Sequence, residues 1–185
     1  MKVIPSTLPG AFVIEPKVFG DARGYFYESY HREKFEQAGI GAQFVQSNVS
    51  RSARGVLRGL HYQWPHPQGK LVSVLEGEVY DVAVDIRRGS PTFGQWTGVM
   101  LTAENHRHFW IPEGFAHGFC VLSEAAVFTY QCTALYDPAA DRSVRWNDEA
   151  IGVDWPVTAP LLSDKDMRAP LLKDVSPDML PEFEP

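Results

Sequence analysis

The chain has 185 residues, 44% hydrophobic and 22% charged, values that suit one globular domain able to bury a sizeable core. Basic residues number 17 against 23 acidic ones, a net charge of −6, so no basic footprint for nucleic acid is expected. No apolar run reaches membrane-spanning length, and Met1 to Thr7 holds no apolar signal core. A cytoplasmic protein with no membrane partner is therefore expected.

In chain order, short strands are expected around Ala11–Val18 and Gly24–Tyr30. A short helix follows over His31–Ala38, with Gly39 suited to the position just past its end. Strands then fall at Phe44–Ser50, Leu57–Gln63 and Leu71–Leu75, and Glu76-Gly77-Glu78 reads as a hairpin turn. In the next strand, Val79–Ile86, the residues Tyr80, Val82, Val84 and Ile86 share one face; Val79, Asp81, Ala83 and Asp85 share the other. Further strands fall near Gly94–Leu101, His108–Ile111, Gly118–Leu122 and Ala126–Leu135. From about Trp155 the chain is Pro-rich and is expected to wrap the strands with short helices. Cys120 and Cys132 lie in apolar strand-like runs and read as buried thiols. Dense short strands without long helices predict an all-β antiparallel sandwich or jelly roll.

The run Ile111-Pro112-Glu113-Gly114-Phe115-Ala116-His117-Gly118-Phe119 has the P-x-G-x-x-H form of a cupin turn, which makes the expected fold a cupin-type jelly-roll barrel with short peripheral helices. Metal-binding cupins usually offer H-x-H on the facing strand. Here His61 stands alone, because residue 63 is Gln. That pattern points to acid–base chemistry with no metal and no cofactor. A histidine titrates near neutral pH and suits a general base, provided its other nitrogen has an orienting acceptor.

On the strand after Ala126, alternation puts Ala126, Phe128, Tyr130, Cys132 and Ala134 on one face, with Tyr130 a polar tip on an apolar row and a candidate proton donor. Lys70 and Arg58 are cations near His61 that could stabilise an oxyanion or hold phosphate. Strict alternation puts Arg58 and His61 on opposite faces, but Gly59 permits a bulge that brings both inward. Asp81 is a candidate partner for His117 if both face the interior. His106-x-His108 has metal-compatible spacing but sits in a charged turn, and His31 and His66 read as exposed. Taken alone, each candidate admits a structural role: a satisfied histidine, a buried tyrosine hydroxyl, or a solvated charge.

The chain as a whole resembles the dTDP-4-dehydrorhamnose 3,5-epimerase family. The runs that carry the resemblance are Asp21-Ala22-Arg23-Gly24-Tyr25-Phe26, Gln46-Ser47-Asn48, Gly55 to His61, Gln68-Gly69-Lys70 and Gly77 to Arg87. Ser90 to Gly94, Trp110 to Phe119, Trp146-Asn147-Asp148 and Leu162-Ser163-Asp164-Lys165-Asp166 complete it. Each run is weak alone; their number and order make the match specific.

The resemblance implies a metal-free cupin that inverts C3 and C5 of a dTDP-4-keto-6-deoxyhexose, feeding dTDP-L-rhamnose biosynthesis. In that match His61 is the base, Asp166 its orienting carboxylate, Tyr130 the opposing acid and Lys70 the enolate-stabilising cation. Arg23, Phe26 and Glu28 match nucleotide-binding positions near the N terminus, Arg23 and Glu28 being ones that reach into a partner subunit's site. Gln46 and Asn48 match a thymidine-facing strand, Arg58, His117 and Lys165 sugar- or phosphate-side positions, and Tyr136 a rim aromatic. Asp141 stands where the family often has glutamate, a departure that leaves this contact open. The implied organisation is a single domain over residues 1–185. Strands within 1–50 are exchanged in a homodimer, and 155–185 form a C-terminal wrap. Three alternatives stand beside it: a related epimerase acting at only C3 or only C5, a metal-dependent cupin dioxygenase or isomerase, and a non-catalytic cupin that binds sugar nucleotides.

Overall fold

A computed structural model describes residues 1–184. The first elements are β1 (Lys2–Pro5), β2 (Phe12–Glu15), β3 (Val18–Asp21), β4 (Gly24–Tyr27), α1 (Arg32–Gln37) and β5 (Gln46–Ala53). Next come β6 (Leu57–Gln63), β7 (Lys70–Glu76), β8 (Glu78–Asp85), β9 (Trp96–Thr102), β10 (His108–Ile111) and β11 (Phe115–Val121). The chain continues through β12 (Ala125–Cys132), β13 (Asp141–Ser143) and α2 (Asp164–Met167) to two single 3₁₀ turns.

The strands form two antiparallel sheets, ordered β1-β2-β10-β7-β12-β5 and β13-β6-β11-β8-β9, with β3 and β4 a separate hairpin. The two sheets face each other as an all-β jelly roll of cupin type and do not close into one continuous ladder. Alternation along the strands explains the layering. Val72 and Val74 of β7, Phe128 of β12, Val79 and Ala83 of β8 and Phe119 of β11 pack together between the sheets. The opposite face of the five-stranded sheet, with Leu57, Leu60, Val82 and Val84, is covered by the C-terminal segment through Val144, Trp155, Leu172 and Leu180. The outer face of the other sheet receives α1 and the turn after it, where Phe35 and Ile40 pack on Ile14, Leu71 and Trp110.

Several expectations are corrected. Glu76-Gly77-Glu78 is not a hairpin turn: β7 and β8 lie in different sheets, so the chain crosses between layers there. Gly77 has φ +79°, and a Cβ on it would lie 2.1 Å from the Ala125 carbonyl oxygen, so the crossing demands glycine. The single strand expected over Ala11–Val18 ends at Glu15, because Pro16 offers no N–H to the ladder. β5 lies two to three residues later than the Phe44–Ser50 expectation, and β11 begins at Phe115, ahead of Gly118. β1, β3 and β13 were not foreseen. The expected helix over His31–Ala38 is α1 with its two flanking cap residues, and Gly39 follows with φ +83°. His31 itself is half-buried rather than exposed.

Candidate active site

Gly59 shapes the His61 wall. In the β6–β11 ladder His61 pairs with His117 and Arg58 with Phe119, so β6 carries one residue more than its partner across the same span. Gly59 has φ +135°, and a Cβ on it would meet the Gly118 Cα at 2.5 Å. Only glycine permits so close an approach of two backbones. The bulge keeps Leu57 and Leu60 in the outer cluster and turns Arg58 and His61 to the same, inner side. Arg58 reaches across to the facing sheet, where its Nε and Nη2 each donate to Ser52 Oγ at 3.1 Å.

His61 meets a carboxylate from the far end of the chain. Its Nε2 lies 2.5 Å from Asp166 Oδ1. The approach is set by the backbone: Leu57 N–H donates to Leu161 O at 3.0 Å and Leu161 N–H to Gly55 O at 2.7 Å, which lays α2 against β6. Ser163 caps α2, accepting from the Asp166 N–H at 3.2 Å and donating its hydroxyl to Asp166 Oδ2 at 2.8 Å. Burial pushes the Asp166 carboxyl up, but the hydrogen bonds from His61 and Ser163 outweigh it and hold its pKa below the usual carboxylate range. Beside this pair, His117 Nε2 contacts both oxygens of Asp81, at 3.1 and 2.9 Å. Both groups are buried; desolvation pushes Asp81 up and His117 down, so the pair is held against charging.

The six-stranded sheet supplies the opposite wall. The β12–β5 register pairs Tyr130 with Asn48 and Cys132 with Gln46, and β7 pairs Cys132 with Lys70. These residues therefore share the inner face. Burial lowers the Lys70 ammonium from its ordinary pKa and raises the Tyr130 phenol, which stays protonated at neutral pH. At the mouth, Asp141 accepts from Tyr136 Oη at 3.2 Å and from Lys165 Nζ at 2.5 Å. Gln46 accepts from the Tyr136 N–H at 2.8 Å and donates to Asn48 Oδ1 at 3.0 Å. The Phe119 and Phe128 rings, 4.1 Å apart and nearly parallel, belong to the apolar layer between the sheets.

The cavity between the walls measures about 340 Å³, within the range of small-molecule sites. Of the residues singled out in the sequence, His61, Lys70, Tyr130, Gln46, Asn48, Tyr136, Asp141 and Lys165 line it. Asp166 stands behind His61, His117 beside it, and Arg58 near Tyr130. Arg23, Phe26 and Glu28 do not line it. They belong to or border the exposed β3–β4 hairpin, where Arg23 pairs with Asp21 at 2.5 Å and Glu28 with Lys34 at 2.7 Å. Gln63 occupies the second cupin ligand position, and its amide is spent on the His66 and Leu135 carbonyls and the Asp137 N–H. Among the described residues no group of three or more His, Cys, Asp or Glu is placed to hold a metal. His106 and His108 instead pack against Tyr27. Sequence reasoning assigned no role to Ser163 or the lining residue Gln68, which stood only within resembling runs, nor to Ser52 or the lining residue Tyr62. Ser163 alone carried a usable signal, a serine three residues before an acidic residue at a short helix start.

The family model for dTDP-4-dehydrorhamnose 3,5-epimerase matches residues 5–174. The chain is 57% identical over 169 residues to the dTDP-4-dehydrorhamnose 3,5-epimerase of Shigella flexneri, covering 90% of this chain and 93% of the relative. It is also similar to the crystal structure of a dTDP-6-deoxy-D-glucose-3,5-epimerase from Legionella pneumophila in complex with dTDP-4-keto-L-rhamnose. That match has a TM-score of 0.97 at 53% identity and covers 100% of this chain and 99% of that one. A 3'-monoepimerase from Streptomyces bikiniensis, in complex with dTDP-quinovose, shares the fold with a TM-score of 0.90 at 38% identity, covering 97% of this chain and 92% of that one. A full-length match at this identity, over a cleft with a histidine–carboxylate pair facing a tyrosine and a lysine, establishes descent: the chain belongs to the dTDP-4-dehydrorhamnose 3,5-epimerase family.

Proposed function

We propose that the protein epimerises C3 and C5 of dTDP-4-dehydro-6-deoxy-D-glucose, giving dTDP-4-dehydro-L-rhamnose for dTDP-L-rhamnose biosynthesis. The observation that carries the reading is the division of the cleft. His61 stands on one sheet, Tyr130 and Lys70 on the other, with the cavity between them. Inversion requires a proton to leave one face of a carbon and another to arrive on the opposite face. A base and an acid on opposite walls meet that requirement.

The substrate's C4 ketone acidifies the hydrogens at C3 and C5. With Nε2 of His61 held by Asp166, Nδ1 is the nitrogen left to take the proton. The electron pair from the broken C–H bond moves to the ketone oxygen, giving an enolate. Lys70 faces that developing charge; its ammonium is incompletely solvated beforehand, so it gains most when the anion forms. Tyr130 then returns a proton to carbon from the other side, and the enolate collapses to the ketone. Once His61 has released its proton to solvent and Tyr130 has taken one back, repeating the cycle at the second carbon inverts both centres with no net oxidation.

Gln46, Asn48 and Tyr136 form a polar and aromatic edge suited to thymine, and Arg58, His117 and Lys165 supply sugar- and phosphate-side contacts. Asp141 takes the family glutamate's place by pairing with Lys165 at the mouth. Arg23, Phe26 and Glu28 act on the site of a second subunit in a homodimer with exchanged N-terminal strands. The support is their position on or beside an exposed hairpin, where Phe26 is 69% accessible and Phe19 and Tyr25 are also uncovered. The reading puts the enzyme in the cytoplasm. Among the described residues no helix is long and apolar enough to cross a membrane.

The test is to incubate the protein with dTDP-4-keto-6-deoxyglucose and read the configuration at both carbons by NMR. Inversion at both is expected. Inversion at one alone would move the protein to the monoepimerases, and an unchanged substrate would overturn the catalytic reading.

A further inference from the structure

Asp166 has two carboxylate oxygens, and the reading of His61 as the base uses only one of them. Oδ1 faces His61 Nε2 at 2.5 Å. Oδ2 accepts the Ser163 hydroxyl at 2.8 Å. Asp166 is 2% exposed, so bulk water has little access to replace that donor. Ser163 is also the residue that starts α2: its Oγ accepts from the Asp166 backbone N–H at 3.2 Å. One hydroxyl thus fixes both the backbone and the side chain of the residue that orients the base. In an ordinary capping box the acidic side chain at the third helical position reaches back to the cap residue's own N–H. Here that side chain turns to the cap hydroxyl and to His61 instead.

We infer that Ser163 is a positioning residue of the proton-transfer machinery, acting through Asp166 on His61; this rests on His61 being the base. Without the hydroxyl, Oδ2 is left buried and unpartnered, and the carboxylate is free to rotate away from the imidazole. The ionised carboxylate also loses one of the two side-chain hydrogen bonds that hold its pKa down.

The test compares Ser163→Ala, Ser163→Gly and Ser163→Thr in solvent deuterium exchange into dTDP-4-keto-6-deoxyglucose, with dTDP affinity and melting temperature measured alongside. Glycine still starts a helix well but carries no hydroxyl, whereas threonine keeps both functions. Loss of the hydroxyl is expected to lower kcat about tenfold, near the lower end of outer-shell effects of roughly 10–100-fold. KM and dTDP affinity should change little, while threonine recovers most of kcat. Full kcat in both Ser163→Ala and Ser163→Gly would overturn the inference, as would a threonine variant as slow as alanine. His61→Ala runs in the same assay. If it exchanges as fast as the unsubstituted protein, the reading of the base fails; if it is inactive and Ser163→Ala is unaffected, only the role of Ser163 fails.

Discussion

His61 Nε2 and Asp166 Oδ1 lie 2.5 Å apart across 105 residues of sequence. The contact gives the imidazole an acceptor on one nitrogen, and in the proposed mechanism the other nitrogen acts as the base. Asp166→Asn keeps the shape but can no longer present an ionised acceptor. Deuterium exchange should fall roughly 10²–10⁴-fold, the usual worth of a positioned base. Unchanged exchange would show that the carboxylate does not orient the base. The pair also contributes to stability. The Asp166 pKa is depressed on folding, so its contribution is present above the ordinary carboxyl pKa and fades as pH falls through the lowered value.

Tyr130 faces His61 from the other sheet, and burial keeps its phenol protonated. Tyr130→Phe removes the donor and leaves the base in place. Inversion should fall more than exchange, because a carbon deprotonated by His61 can regain deuterium on its original face. Equal losses in product formation and in deuterium uptake, both followed by NMR, would count against a pure donor role.

Lys70 is a cation kept in the cleft at a desolvation cost. Lys70→Met removes that cost along with the charge. The melting temperature should hold or rise while kcat drops about 10²–10³-fold, the scale of losing one oxyanion donor. A variant that melts much lower and yet turns over normally would assign Lys70 to the fold instead of the reaction.

His108 gives a pH prediction independent of catalysis. It is buried, its Nε2 has no hydrogen-bond partner among the described residues, and burial pushes its pKa down to about 4. The unfolded chain therefore binds this proton more readily between an ordinary histidine pKa and about 4, and stability falls as pH drops through that window. Urea denaturation at pH 7 and pH 4.5 should show the unsubstituted protein losing roughly 2–3 kcal/mol more than His108→Gln. Equal losses would show that the imidazole is solvated or paired in solution.

Strict alternation made the strand face bearing Tyr130 legible from sequence, as it did the Asp81 face of β8. The inward turn of both Arg58 and His61 was readable as a possibility, since Gly59 marked the bulge. What fixes it is Gly118, 59 residues after Gly59, where two backbones meet without side chains. Asp166 was legible only through family resemblance. Its partner lies on a distant strand, and the intervening Pro-rich segment has no periodicity to report where it docks. Gly77 misled because a positive-φ glycine serves a hairpin and a sheet-to-sheet crossing equally well, and only the packing against Ala125 separates them. β13 is three residues in a polar stretch, held by its register on β6, a long-range fact that no local pattern carries.

In the proposed mechanism one histidine serves both carbons. The direct measurement is NMR of dTDP-4-keto-6-deoxyglucose incubated in deuterated water with the unsubstituted protein and with His61→Ala. Deuterium is expected at C3 and C5 with the first, and at neither carbon with the second, which still binds dTDP. Exchange retained at either carbon in His61→Ala would overturn the role of His61 as the shared base.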